Sequence, residues 1–256
     1  MYYAKLAVFI VLSCIVIHYA LDKVLGTSVP AKIVCGGTVS SPSNLIIGMY
    51  GDSTMEGVTC VHGSCVPLQE NAPYMLQKLL PKARIVNQGL SGDDASSWLD
   101  RDGVTIPPCD WETEMRASKA QVIVLNWGIN DTFQLTENRF RRSMEKLIET
   151  ALRAGKTVML ETPNPVDPSF NKRIATKLPA LVAIDRELAL KYNLLLIDEY
   201  KACSDQGSWF SLLSDGIHPT VEGYKFKAQV EFNQIALNQI APLSGSDGGR
   251  CTHRAH

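Results

Sequence analysis

Two short segments carry residues whose types and spacing suit nucleophilic catalysis. Ser53 follows an apolar run at residues 45–50, so its hydroxyl is expected where a buried strand ends and the chain turns. Asp215 precedes His218 by three residues, in a segment that also contains Gly and Pro. Such a turn can place the carboxylate against Nδ1 of the imidazole and leave Nε2 facing outward. Because a serine hydroxyl needs a base oriented in this way, the two segments together predict acyl transfer through serine.

Each segment also has a purely structural interpretation. Asp and Ser after a strand are ordinary turn and helix-cap residues, and a single loop histidine is usually a solvated side chain. The pairing of Asp215 with His218 favours catalysis. The other histidines either lack a carboxylate close in sequence or lie in the terminal segments: His18, His62, His253 and His256.

Strand and helix patterns alternate around these residues. Strands are predicted at residues 45–50, 83–87, 121–126, 157–161 and 194–198. Helices are predicted at residues 68–80, 95–99, 136–154, 172–192 and 221–240. Residues 56–67 and 101–118 are predicted to be irregular, the second as a surface excursion. This alternation predicts a parallel sheet with helices on both faces and right-handed crossovers, with Ser53 at the edge that binds ligands.

The composition indicates one globular α/β domain. The chain has 256 residues, of which 45% are hydrophobic and 20% charged, enough to build an ample core. Its net charge is -1 and no long basic run interrupts the globular region, so nothing indicates nucleic acid as a partner.

The two ends of the chain differ from this domain, which is expected at residues 45–242. Residues 1–25 contain an almost unbroken apolar run and are predicted to be a signal peptide or a membrane anchor. Residues 26–44 are expected to be a linker, and residues 243–256 a disordered tail. The predicted location is therefore exported: periplasmic, secreted, or held at the membrane through the amino-terminal segment. A buried helix of a cytosolic protein is the alternative.

Cysteine usage is compatible with export. Apart from Cys14 in the apolar run, the chain has an even set that suits disulfides in an oxidising compartment. Cys60 and Cys65 flank a short loop and are the easiest pair to bridge, while Cys109 and Cys203 lie in segments that could meet. Reduced cysteines remain the alternative. The spacings do not form a zinc pattern, and no metal site is predicted.

Four blocks of the sequence resemble the SGNH hydrolases, also called the GDSL esterase/lipase superfamily. The blocks stand in the order and approximate spacing of that superfamily, over essentially residues 45–240: Gly51-Asp52-Ser53, Gly92 at the end of residues 87–92, Gly128-Ile129-Asn130-Asp131, and Asp215-Gly216-Ile217-His218-Pro219. Thr54 departs from the commonest wording after the serine but leaves the nucleophile intact. The resemblance implies a flavodoxin-like, three-layer α/β/α fold with a central parallel sheet.

The resemblance also implies a role for each block. Ser53 would be the nucleophile, His218 the general base and then acid, and Asp215 its orienting partner. Asn130 and the backbone N–H groups of Gly92 and Ser53 would form the oxyanion hole. No metal or organic cofactor is expected in this chemistry.

The predicted activity is hydrolysis of a carboxylic ester on a small molecule or a glycan. Similar proteins include acetyl esterases acting on polysaccharides, lysophospholipases, thioesterases and acyltransferases. An exported chain without a long apolar lid segment favours a small group such as acetyl on an envelope or extracellular glycan. A catalytically idle glycan-binding module is the alternative from another class. Four indoles next to predicted loops would either stack on sugar rings or pack in the core: Trp98, Trp111, Trp127 and Trp209.

Overall fold

The computed structural model describes residues 45–100 and 107–239, with the side chains of residues 236–239 excepted. The expected signal peptide or anchor, the linker and the tail lie outside these residues. Within the described part of the chain, no helix has the length and apolar character needed to cross a membrane.

A parallel sheet of five strands forms the centre of the fold, as the alternating pattern predicts. Its strands are β1 (Leu45–Gly51), β4 (Ala83–Gly89), β5 (Val122–Asn126), β6 (Thr157–Glu161) and β7 (Leu195–Ile197). Their order across the sheet is β4, β1, β5, β6, β7, and every neighbouring pair is parallel. Since β1 occupies the interior of the sheet with β4 and β5 on its two sides, the ends of these three strands meet at one edge.

Helices cover both faces of the sheet. In chain order they are α1 (Ser53–Glu56), α2 (Ala72–Leu79), α3 (Ser97–Asp100), α4 (Trp111–Ala117), α5 (Asp131–Gln134), α6 (Glu137–Arg153), α7 (Lys172–Lys191), α8 (Glu199–Asp205) and α9 (Val221–Gln239), with a 3-10 turn at Trp209–Leu212. Strand β5 shows the two layers, because Ile123 and Leu125 pack with residues of α6 and α7, whereas Val122 and Val124 pack with residues of α2 and α9. The three-layer α/β/α prediction is confirmed.

The expected surface excursion at residues 101–118 is wrong for its second half. Residues Trp111–Ala117 form helix α4, which buries Trp111 and Met115 on one side. Asp110 caps the helix by accepting a hydrogen bond from the Thr113 N–H. The two prolines at residues 107–108 precede this helix rather than prevent it, since a helix tolerates proline before its first turn.

Residues 56–67 are also more regular than the predicted loop. They contain an antiparallel hairpin of β2 (Val58–Val61) and β3 (Ser64–Pro67), which we call the cysteine hairpin. Both central residues of its turn, His62 (φ 52°) and Gly63 (φ 79°), have the left-handed conformation that type I′ hairpin turns require. Cys60 and Cys65 face each other across the strands and form a disulfide.

The four indoles belong to the core rather than to an exposed sugar-binding surface. Trp127 is fully buried, and no tryptophan in the described chain is more than 3% exposed. Trp98 and Trp111 contact each other and Tyr50 edge to face, an arrangement favoured by aromatic quadrupoles. The option of sugar stacking on these tryptophans is therefore excluded by their burial.

Candidate active site

Ser53 stands at the first position of helix α1, directly beyond the end of β1. Asp52 caps this helix by accepting hydrogen bonds from the N–H of Thr54 at 2.8 Å and from its hydroxyl at 2.9 Å. Gly51 must lack a side chain, because a Cβ there would lie 2.2 Å from the backbone oxygen of Asn126 on β5. Ser53 itself is 8% exposed, at the carboxyl edge of the sheet.

His218 and Asp215 complete a hydrogen-bonded series with Ser53. The Ser53 Oγ lies 2.9 Å from Nε2 of His218, and Nδ1 of the same ring lies 2.8 Å from Oδ2 of Asp215. Oδ1 of Asp215 accepts from the backbone N–H groups of Ile217 and His218. His218 thus contacts both of the other predicted residues, although Ser53 lies 165 positions before it in the chain. The residues meet because the end of β1 and the loop before α9 lie at the same edge of the sheet.

The local environment keeps Asp215 ionised. Burial by itself would raise the pKa of Asp215, but hydrogen bonds from the backbone and the ring of His218 outweigh this effect and lower the pKa below its ordinary value of 3.8. A carboxylate that stays charged holds Nδ1–H of the imidazole and leaves Nε2 able to accept a proton from the serine.

The loop after β6 holds the Asp215 to His218 turn in place. The Asn164 amide donates to the Ile217 carbonyl at 3.2 Å, and the Asp167 N–H donates to the Gly216 carbonyl at 2.8 Å. Asn164 is fully buried. The position of His218 is therefore fixed from a neighbouring strand as well as by its own turn.

The two other predicted residues lie on loops that follow β4 and β5. Gly92 has φ +80°, a left-handed conformation that glycine adopts without strain. Nδ2 of Asn130 donates to the Asp93 carbonyl at 2.8 Å, which ties the Asn130 side chain to the residue after Gly92. The Ala95 N–H donates to the Asp131 side chain at 2.9 Å, so Asn130 and the first residue of α5 both hold the β4 loop. This pair of loops can present donors to a negatively charged oxygen.

The Asp93 side chain links the loop after β4 to the turn after β5. Its carboxylate is fully buried and accepts from the indole N–H of Trp98 at 3.0 Å and of Trp127 at 3.2 Å. Burial raises the pKa of Asp93 to about 7, although hydrogen bonds from Ser97 and the two indoles oppose the rise. Trp127 and Asn130 both lie on the turn after β5, so Asp93 contacts that turn through its side chain and its backbone.

The cysteine hairpin also contacts the imidazole, at the ring nitrogen that Asp215 contacts. Sγ of Cys60 is 3.4 Å from Nδ1 of His218. Ligand atoms of Cys60, Asp215 and His218 lie within 4.8 Å of one another, a combination that suits a zinc ion in principle. The Cys60 sulfur is bridged to Cys65, however, and a disulfide sulfur is not a thiolate ligand.

A cluster of charged residues is buried inside the fold. We call it the buried charge cluster and define it as Lys227, Glu161, Glu199 and Glu231. All four side chains are at most 1% exposed. The ammonium of Lys227 is 2.5 Å from Glu199 and 3.7 Å from Glu161. Burial raises the pKa of Glu161 well above its ordinary value and that of Glu231 to about 8, with further increases from neighbouring carboxylates. Burial therefore favours the protonated form of these two carboxyl groups over the charged form.

Sequence reasoning missed several supporting residues. Asp93 follows the predicted Gly92 directly, but its partners Trp98 and Trp127 are identified only when both loops are folded. Asn164 gives no signal beyond its place after a strand. The other two cysteines considered for pairing do not bridge each other, since the thiol of Cys203 donates to Glu199 and that of Cys109 to Glu114.

A three-layer α/β/α fold with a serine, a histidine and an aspartate in contact at the carboxyl edge of the sheet defines a class of serine hydrolases. The sequence model of the GDSL-like lipase/acylhydrolase family matches residues 49–226. The chain belongs to this family, within the SGNH/GDSL superfamily, and is a hydrolase that acts on ester bonds.

Solved structures show the same fold. The chain is similar to a lipase/acylhydrolase from Enterococcus faecalis, with 23% identity and a TM-score of 0.60, over 75% of this chain and 95% of that one. It is also similar to a carbohydrate acetylesterase from Sinorhizobium meliloti, with 20% identity and a TM-score of 0.60, over 75% and 99% of the two chains. A third is a catalytic mutant of an acetylxylan esterase from Geobacillus stearothermophilus, with 18% identity and a TM-score of 0.60, over 75% and 94%. Comparison with curated protein sequences gives no match.

Proposed function

We propose that the protein hydrolyses small O-acyl esters through a covalent acyl intermediate on Ser53. The observation that carries this proposal is the series of contacts from Ser53 through His218 to Asp215, at 2.9 and 2.8 Å. A serine hydroxyl within hydrogen-bond distance of a base that a carboxylate orients is the arrangement that nucleophilic catalysis requires.

In the first half of the reaction, Ser53 Oγ attacks the ester carbonyl while Nε2 of His218 takes the hydroxyl proton. The negative charge that develops on the carbonyl oxygen is held by Asn130 and by the N–H groups of Gly92 and Ser53, each worth about 3 kcal/mol in comparable sites. The carbon–oxygen bond to the alcohol then breaks, and the imidazolium gives its proton to the departing alcohol. Asp215 holds the ring throughout.

In the second half, water replaces the alcohol. His218 takes a proton from the water as it attacks the acyl carbon, and returns that proton to Ser53 when the carboxylic acid leaves. If an acceptor hydroxyl attacks in place of water, the same intermediate gives acyl transfer. Both outcomes use the same residues.

For the substrate, we propose an acetyl group on an envelope or extracellular glycan. Two proteins of similar fold are a carbohydrate acetylesterase and an acetylxylan esterase, which supports this substrate class. The Cys60–Cys65 disulfide supports an oxidising compartment and hence export.

A comparison of two substrates tests this choice. We expect the full-length protein to release acetate from acetylated xylooligosaccharides faster than it releases fatty acid from a lysophospholipid, as measured by product quantification at matched concentrations. The Ser53→Ala variant supplies the blank for both reactions. Faster fatty-acid release would contradict the glycan proposal and favour a lysophospholipase.

A further inference from the structure

The Cys60–Cys65 disulfide lies against the His218 imidazole itself. Sγ of Cys60 is 3.4 Å from Nδ1, the same ring atom that contacts Asp215. The Cys60 N–H donates to Oγ of Ser214 at 2.9 Å, and this hydroxyl donates to the His218 carbonyl at 3.0 Å. One cysteine of the bridge therefore contacts the turn that carries the base through both its sulfur and its backbone.

The two cysteines of the bridge differ in their exposure to solvent. Cys60 is 6% exposed and faces the imidazole, whereas Cys65 belongs to β3, in which every residue is exposed. Thiol–disulfide exchange depends on which sulfur an attacking thiolate can reach. Because Cys65 is the exposed residue of the pair, its sulfur is the one that a thiolate from solvent is expected to attack.

We propose that this disulfide is a thiol-exchange site that controls the ester hydrolase, with a small dithiol as the reactant. The proposal rests on the proposed function of Ser53 and His218. In the bridged form the base is aligned, and in the open form its alignment is lost.

The chemistry is a two-electron reduction. A thiolate of the dithiol attacks the Cys65 sulfur, the bond between the two cysteine sulfurs breaks, and Cys60 leaves with the electron pair and takes a proton from water. The second thiol of the reagent then attacks the mixed disulfide, closes the reagent into its own disulfide and releases Cys65, which also becomes a thiol. The protein gains two electrons and two protons, and the dithiol is oxidised.

Opening the bridge changes the surroundings of Nδ1. A disulfide sulfur carries no proton, whereas the Cys60 thiol both donates and accepts weakly and so competes with Asp215 for the ring nitrogen. The strand that contacts Ser214 also loses its covalent link to β3. The base of the hairpin is retained, because the Tyr224 hydroxyl donates to the Val58 carbonyl at 2.6 Å and the Leu68 N–H to the Gly57 carbonyl at 2.8 Å. We therefore expect a local change at the active site rather than unfolding.

The test compares the full-length protein before and after treatment with dithiothreitol, in buffer with EDTA so that no metal ion binds the newly freed Cys60. Opening of the bridge is verified by alkylation of Cys65 and mass spectrometry, and the fold by circular dichroism. We expect kcat/KM for p-nitrophenyl acetate to fall about tenfold, which is the scale of a small misalignment of a catalytic group, and to recover on reoxidation.

Two variants serve as controls. The double variant Cys60→Ala with Cys65→Ala should not respond to dithiothreitol, because the bridge is gone. Cys65→Ser, which leaves the Cys60 thiol in place, should have low activity from the start and should not respond either. Unchanged activity in wild-type protein whose bridge is open would overturn the proposal. A loss of activity that accompanies global unfolding, or an equal further loss when either variant is treated with dithiothreitol, would overturn it as well.

A second readout separates this proposal from the proposed function. If the oxidised protein hydrolysed no ester, the proposed function would fail, but the contact with the ring would still be tested by NMR. The His218 ring resonances, assigned with a His218→Asn variant, should move on reduction while those of the remaining histidines outside the hairpin stay unchanged. Resonances of His218 that do not move would overturn the coupling between bridge and base.

Discussion

Both oxygens of the Asp215 carboxylate form hydrogen bonds within the turn that contains Asp215. Oδ2 contacts the imidazole, and Oδ1 accepts from two backbone N–H groups that follow it by two and three residues. The spacing of Asp215 and His218 is thus sufficient to orient the base locally, which explains why a four-residue segment of sequence indicated the site. Because its pKa is lowered in the folded state, Asp215 contributes stability above about pH 3.8, and that contribution is lost as the pH falls through the lower folded value.

At the scale of single residues, we predict that Asp215→Asn loses most of the catalytic activity. An amide N–H turned toward Nδ1 favours the wrong tautomer of His218, and kcat should fall by about 10⁴ with KM little changed. Steady-state kinetics on p-nitrophenyl acetate would measure this. Asp205→Asn makes the same chemical change in an exposed pair with Lys201 and should keep wild-type kcat. A loss below tenfold in Asp215→Asn would show that the carboxylate does not orient the base.

At the scale of structural elements, the loops after β4 and β5 hold each other in position through hydrogen bonds. Asp93 accepts from two indoles and, through its carbonyl, from Asn130. The donors expected to hold the oxyanion are therefore positioned by a buried carboxyl group that does not itself face the substrate.

We predict that Asp93→Ala lowers kcat by about 10- to 100-fold without a matching rise in KM, because misplaced oxyanion donors weaken the transition state. It should also cost about 1–3 kcal/mol of stability, since two indole N–H groups lose their acceptor. Kinetics and urea unfolding would measure the two effects.

Asp93→Asn provides the rescue control for this prediction, because its amide oxygen can still accept from both indoles. It should recover most of kcat. Asp94→Asn, a change on the same loop whose amide oxygen can still accept from the Ser96 N–H and hydroxyl, should be close to wild type. Equal losses in Asp93→Ala and Asp94→Asn would contradict the assigned role of Asp93.

The elements that the sequence predicts well are those with strong periodicity of their own. The strand at residues 157–161 and the helix at residues 172–192 agree with Thr157–Glu161 and Lys172–Lys191. The cysteine hairpin, α4 and α8 are missed because each is short and its apolar residues are few. Their stability comes from partners distant in sequence, such as the buried surroundings of Trp111 and the contact of Cys60 with His218.

The same distinction applies to the site. Ser53, Gly92 and Asn130 could be placed from sequence because they follow β1, β4 and β5, and the parallel sheet brings those strand ends to one edge. Asp215 and His218 follow no strand directly, and it is their own three-residue spacing that indicated them. The side chains that position them could not be predicted, since Asp93 and Asn164 act only through contacts made after folding.

On the scale of the whole molecule, the buried charge cluster joins the end of β6, the start of α8 and helix α9. Burial and neighbouring carboxylates raise the pKa values of Glu161 and Glu231, so we expect the folded cluster to keep a proton that the unfolded chain would release. The pKa of Glu231 is raised by burial from its ordinary 4.5 to about 8. Between these two values the folded state binds more protons than the unfolded state, and the free energy of unfolding falls as the pH rises.

We therefore predict that Glu231→Gln flattens the dependence of stability on pH between about 4.5 and 8. Urea unfolding of wild type across this window should show the free energy of unfolding declining with pH, and the variant should decline less. A remaining slope is expected from Glu161, whose pKa is also raised. Glu222→Gln, an exposed change on the same helix, should keep the wild-type slope. Parallel curves for wild type and Glu231→Gln would contradict the prediction.

The central claim is that Ser53 carries the acyl group during the reaction. Rapid quenching of the full-length protein with p-nitrophenyl acetate, followed by peptide mass spectrometry, tests it directly. We expect one acetyl group on the peptide that contains Ser53, and neither adduct nor turnover in Ser53→Ala. An acetyl group found on another residue, or turnover that persists in Ser53→Ala, would contradict the mechanism.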